Sequence, residues 1–290
     1  MYKFILSPAV RNMLAATFYF ALMNVFIKKM STIPPMELVF FRCFISMAFC
    51  YSIIYRERLD WRGSNRTMLI ARGVAGTVGI YTYFINLQQI PLATAVTIQY
   101  TSPIFTTLIA AYILGERVKP MQYLFFALSF SGVLLIKGFD EHIRMSYLAI
   151  GLFSAIASGV AYNLVRSLRE REHPIVVVLH FQLVGVVVGL VGCLLSWKMP
   201  QGIEWLYLFL TGLLAQLGQA ALTKSLQAEQ VGIISSLNYV GILYAIIFGV
   251  YFFGESYIAT TLWGIVLVVV GVVLNVIFGN KEPMKIMVDE

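Results

Sequence analysis

A chain of 290 residues with 59% hydrophobic and only 12% charged side chains cannot clothe a soluble globule, whose surface alone needs about a quarter charged residues. The formal charge of +7 and pI near 9.3 do not point to nucleic acid, because the basic residues sit in short loops between apolar runs and not in a patch with stacking aromatics. With a mean hydropathy of +0.81, the chain belongs in a bilayer.

Apolar runs of roughly 18 to 23 residues recur along nearly the whole length, each enough to cross about 30 Å of hydrocarbon at 1.5 Å per residue. Ten are predicted, at about residues 10–29, 36–55, 67–88, 92–114, 120–137, 145–167, 174–197, 203–225, 230–252 and 258–278. Pro8, Pro35, Pro91, Pro120 and Pro174 fall at or just before predicted starts, where a missing N–H costs nothing. No loop is long enough to be a domain. Cys43, Cys50 and Cys193 lie inside apolar runs without metal-ligand spacing and read as small hydrophobes, so neither a metal nor a cofactor is expected.

The fourth run has a second version later in the chain. At a single offset of 139 residues, close to half the chain, Gln88 falls on Gln227, Gln99 on Asn238, Tyr100 on Tyr239, Gly115-Glu116 on Gly254-Glu255 and Gly132-Val133 on Gly271-Val272. Upstream, Asn24 falls on Asn163 and Gly73 on Gly212. The chain therefore reads as one unit duplicated, with the first unit over residues 1–139 and the second over 140–290.

Lys and Arg on alternate sides give the orientation. With the N-terminus inside, the 21 basic residues divide fifteen inside to five outside, Arg42 being set aside as intramembrane, so both termini are expected in the cytoplasm. Five spans per unit is an odd number, so the second copy must enter the bilayer from the opposite side. The expected fold is an all-α membrane protein of ten transmembrane helices in two inverted five-helix repeats. That is the architecture of many secondary transporters, with the site at the repeat interface near mid-depth.

The motifs carry a resemblance as well. An ELVFFR segment, Glu37 to Arg42, opens the second span; Arg72-Gly73 opens the third; a P-L-A-T-A turn, Pro91 to Ala95, leads into the fourth, which holds Pro103; and G-E closes the fourth and ninth. In order and spacing this resembles the EamA family of the drug/metabolite transporter superfamily over the whole chain. The FFR, RG, GE and Lys224 positions are similar to the S-adenosylmethionine uptake carriers of intracellular bacteria. The resemblance implies that the third and eighth spans help to line a central cavity, which makes Tyr81 and Gln219 candidate contacts.

Polar groups in hydrocarbon each need a partner, a cavity or a ligand. Arg42, about 9 Å into its span at 1.5 Å per residue, either offers a planar, bidentate cation to a substrate carboxylate or phosphate, or is tied to Glu37, backbone or a neighbouring helix. Gln99, Tyr100, Asn238 and Tyr239 are repeat-related candidates for substrate contact, with interhelical hydrogen bonding as the alternative. Pro103 cannot donate to the carbonyl of residue 99, so the fourth span is expected to bend there, and Gly241 marks a softer counterpart in the ninth. Asn24 and Asn163, with Tyr19 and Tyr162 nearby, read either as ligand contacts or as polar glue. His180 is buried and neutral or, alternatively, proton-linked. Arg72 and Lys224 are expected to snorkel to the surface, and Glu116 and Glu255 to cap the helices that follow them.

No Asp or Glu is expected near mid-membrane, which favours exchange or facilitated movement over a carboxylate proton relay. The expected function is secondary transport, by alternating access, of a small polar metabolite. An amino-acid-like zwitterion or another carboxylate-bearing compound fits best, S-adenosylmethionine included. The alternative is a membrane scaffold or channel without transport; an enzyme is not expected. Expected partners are the substrate and the lipid bilayer, without nucleic acid, in a monomer or homodimer of the plasma (inner) membrane.

Overall fold

The computed structural model describes residues 8–114, 118–138, 144–168, 171–228 and 239–279, and among them every regular element is helical. In chain order the helices are α1 (Pro8–Lys29), α2 (Pro35–Glu57), α3 (Arg66–Gln89), α4 (Leu92–Gln99), α5 (Ser102–Leu114), α6 (Pro120–Gly138), α7 (Met145–Leu168), α8 (Pro174–Leu195), α9 (Glu204–Ala228), α10 (Val240–Phe253) and α11 (Ala259–Gly279). Seven of them, α1, α2, α3, α7, α8, α9 and α11, are long and apolar enough to cross a membrane. The apolar parts of α6 and α10 are shorter.

The starts and stops follow local chemistry. Pro35 and Pro174 occupy first-turn positions, and the Asn65 side chain accepts the Met68 amide N–H at the start of α3. Gly254, at φ 61°, ends α10 in the left-handed region that glycine enters without a Cβ clash. The run at 92–114 is interrupted beside Pro103, where a bend was expected. It is two helices, α4 and α5, interrupted at Tyr100 and Thr101 just before Pro103, whose ring removes the N–H that would have bonded residue 99. Of the ninth expected span the structure describes Val240–Phe253; its first part falls outside the described residues.

The main pairings are α1 with α9, α2 with α8, α3 with α7 and α6 with α11. Small residues let these helices approach, as expected where lipid tails remove the hydrophobic drive for association. A Cβ on Gly189 would lie 2.8 Å from the Cα of Phe40, and one on Gly132 would lie 2.6 Å from the Gly264 carbonyl oxygen. Outward faces carry exposed apolar side chains, among them Leu134, Leu194, Leu195 and Trp263, as faces turned to lipid do.

At the arginine-rich end, Glu172 ties the turn before α3 to the segment before α8. Its Oε1 accepts the backbone N–H of Ser64 at 2.6 Å, that of Asn65 at 2.7 Å and the Ser64 hydroxyl at 2.7 Å. Burial works to raise its pKa, but these bonds outweigh it and hold the carboxyl below the ordinary value of 4.5.

Candidate functional site

Arg42 projects from α2 and is 5% exposed. Its guanidinium carbon lies 5.5 Å from the centroid of Phe181 on α8, and its Nη1 reaches the Cys43 sulfur at 3.8 Å. It does not pair with Glu37, whose carboxylate accepts the Lys198 amide N–H at 3.1 Å near the start of α2. Arg72 differs from its expectation. Six residues into α3, it does not snorkel outward: its guanidinium carbon stands 4.2 Å from the centroid of the same Phe181 ring. The approach is possible because position 76 is glycine; a Cβ there would lie 2.9 Å from Phe181 and 3.0 Å from Arg72 Nη1. Buried without a hydrogen-bond partner are Arg42 Nε and Arg72 Nε and Nη1.

Beside this pair the structure gathers tyrosines. Tyr100, in the break between α4 and α5, meets Tyr239 edge-on with ring centroids 5.5 Å apart. A Cβ on Gly241 would collide with the Tyr100 hydroxyl, so Gly241 is what lets that ring in. Tyr162 of α7 is close enough to interact electrostatically with Arg72, and with Tyr100 and Tyr239.

The other candidates are placed as follows. Gln99 has partners on both sides of its amide: it donates to Ser158 Oγ at 2.8 Å and accepts from Ser154 Oγ at 2.7 Å. Asn24 donates to the hydroxyl of Tyr83 at 2.9 Å, a residue the sequence did not single out as its partner. Asn163 donates to the carbonyls of Thr106 and Gly159, at 2.9 and 3.0 Å. Tyr19 and Tyr81 are half-buried and pack on the main apolar core. Gln219 is half-buried on α9. His180 is buried and its Nδ1 is 2.9 Å from the Val176 carbonyl oxygen, which can only accept, so the proton of that contact belongs to the ring. Asn238 and Glu116 lie outside the described residues, as does the side chain of Lys224. The described residues hold no group of three potential metal ligands.

Glu255 does not cap the helix that follows it. Its carboxylate crosses to the start of α4, where both oxygens accept the Leu92 N–H at 3.0 and 2.8 Å, and it pairs with Lys28 of α1 at 2.9 Å. The Tyr257 hydroxyl donates to it as well, and burial, then the hydrogen bond and charge of Glu255, push that phenol well up. Lys28 also donates to the Ile90 carbonyl at 2.6 Å, and Gln88 to those of Met30 and Ile33, at 2.7 and 3.0 Å. A helix N-terminus, a carboxylate and a cation thus knot α1, α3, α4 and the end of α10 together.

The EamA-like transporter family matches residues 8–138 and 145–277. The pseudopaline exporter of Pseudomonas aeruginosa is 30% identical over 92% of this chain and 95% of its own. Solute carrier family 35 member G1 of Homo sapiens is 27% identical over 83% of this chain and 71% of its own, and a probable transport protein of Saccharomyces cerevisiae is 26% identical over 77% and 72%. A protein of known crystal structure has the same fold, with a TM-score of 0.65 at 19% identity over 92% of this chain and 95% of that one.

Proposed function

The chain belongs to the EamA-like transporter family and is a multi-pass membrane transporter of a small molecule; on that premise we propose that it moves a small, polar, carboxylate-bearing metabolite by alternating access, as an exchanger or facilitator. The observation that carries this reading is Arg42: a cation 5% exposed, with a ring and a thiol for neighbours and no carboxylate within ion-pair distance among the described residues. A structural arginine at that depth needs an acid or carbonyls. One that recognises a ligand carboxylate keeps its N–H fork for the ligand. Amino-acid-like zwitterions, S-adenosylmethionine among them, fit this chemistry, their positive group resting on the faces of Tyr100, Tyr239 or Tyr162.

Ten spans in two inverted repeats, divided near residue 139, are part of the proposal. Support comes from residues 139 positions apart that touch one another, as residues beside a two-fold axis would: Arg42 with Phe181, Tyr100 with Tyr239, and Ser129 Oγ donating to the Val268 carbonyl. Reciprocal contacts agree. A Cβ on Gly73 would strike Val184, and one on Gly212 would strike Ile45, the same two positions with the halves exchanged. Alternating access then means exchanging the conformations of the halves. By the basic-residue count the Lys28–Glu255 knot lies on the outside, with both termini at the cytoplasmic face of the plasma (inner) membrane. The break at Tyr100 and Thr101, with Pro103 and Gly241 beside it, is the proposed hinge; Asn24, Asn163, Gln99, Asn238, Tyr19, Tyr81 and Gln219 are proposed as further substrate contacts, and His180 as the group for any proton linkage.

Proteoliposomes test the reading. Labelled amino acids, organic acids and S-adenosylmethionine should include at least one substrate that enters saturably and shows counterflow. Folded protein giving no saturable flux across such a panel would favour a scaffold, and flux without counterflow a channel.

A further inference from the structure

Two cations, from two helices, share one ring. Arg42 Cζ lies 5.5 Å and Arg72 Cζ 4.2 Å from the Phe181 centroid, so the charges are within about 10 Å of each other, close enough to repel in a medium of low dielectric. The ring attracts both through its quadrupole but carries no net charge to cancel either. Lys28 pairs with Glu255 at the end of the molecule, whereas neither arginine has a carboxylate within ion-pair distance among the described residues. Three guanidinium nitrogens of the pair are buried and unpartnered: Nε of Arg42, and Nε and Nη1 of Arg72.

One carboxylate set against this pair would leave a positive charge uncompensated where water is scarce, which is costly. We propose that the transported compound carries two anionic groups, one for each guanidinium, and that Arg72 is the second anchor that selects a bis-carboxylate over a monocarboxylate. The inference rests on the carboxylate reading of the site and adds the charge count. Gly76 belongs to the device, since its missing side chain is what lets Phe181 and Arg72 meet over α3. An acidic amino acid meets both requirements, with its ammonium group left for a tyrosine face.

Calorimetric titration of the purified full-length protein with glutarate against pentanoate, and with glutamate against glutamine, tests the charge count. Each pair has the same carbon chain and differs by one carboxylate. The expected result is binding tighter by about tenfold or more for the bis-carboxylate of at least one pair. That margin should vanish in Arg72→Gln, and persist, reduced, in Arg72→Lys, which keeps the charge without the bidentate fork. Equal affinities within both pairs would overturn the two-anion proposal and leave a carboxylate site standing. A margin that survives intact in Arg72→Gln would overturn the role of Arg72. No binding by any of the four acids, in protein whose melting is cooperative, would overturn this inference, and the carboxylate reading would then be decided by the proteoliposome panel. The wild-type comparison needs no variant to fold.

Discussion

Lys28 and Arg42 are both cations set largely inside the protein, and their surroundings are opposite. Lys28 has a carboxylate at 2.9 Å and a backbone carbonyl at 2.6 Å, and its partner Glu255 is itself held by the Leu92 amide and the Tyr257 hydroxyl. Arg42 has a ring and a thiol, and a second arginine shares that ring. Leaving a buried polar group unmatched costs far more than matching it gains. A satisfied cation therefore speaks of architecture and an unsatisfied one of something that comes and goes. On the proposed reading, the first region holds helices together and the second awaits an anion.

Substitutions can break that contrast. The largest effect is expected from Arg42→Gln, which removes a charged bidentate donor worth about 3 kcal/mol, or about a hundredfold in transport, while the melting temperature changes little. Proteoliposome uptake alongside thermal melting checks both halves. Glu255→Gln should do the reverse. Stranding Lys28 should lower stability by about 2 kcal/mol, and Lys28→Met combined with Glu255→Gln should recover most of it, as a double-mutant cycle in denaturant would show. If the single change at Glu255 leaves stability alone, the knot is not structural.

Gly76→Val sharpens the comparison from the site's own side. Its branches would enter the space of Phe181 and Arg72, so substrate affinity should fall about tenfold, roughly 1.4 kcal/mol, with an overpacking loss of stability of about 1 kcal/mol beside it. The smallest effect belongs to Glu172, whose bonds to the turn at Ser64 and Asn65 keep its pKa below 4.5. A depressed carboxyl stabilises fully above the unfolded value and loses that contribution as pH falls through the lower folded one. The wild type should thus lose about 1 kcal/mol of stability on acidification below about pH 4.5, and Glu172→Gln should already lack it at neutral pH. Melting curves across that range would show the two converging in acid.

Much of this was legible in the sequence. The mean hydropathy, the proline-marked starts and the 139-residue offset led to a helical membrane protein whose polar residues matter, and the depth of Arg42 in its span singled it out. Arg72 was misread because a basic residue early in a span normally reaches back to the interface. The start of α3 at Arg66 lies within a residue of the expected one, but only the neighbouring helices show that Gly76 opens a way to Phe181. One signal was available: Phe181 is the position matching Arg42 in the second repeat, and an aromatic opposite a cation is what a cation–π contact across an axis needs. Glu255 could not be read locally, since the helix start it caps lies 163 residues away. The break at Tyr100 and Thr101 was legible, because proline acts on its own backbone four residues back.

The most direct test is counterflow of a labelled bis-carboxylate, with wild type and Arg42→Gln reconstituted side by side at equal protein. Wild-type vesicles loaded with unlabelled substrate should accumulate label transiently above equilibrium, and Arg42→Gln vesicles should not. Equal overshoot in both would contradict the account, because the buried cation would then take no part in holding what is carried.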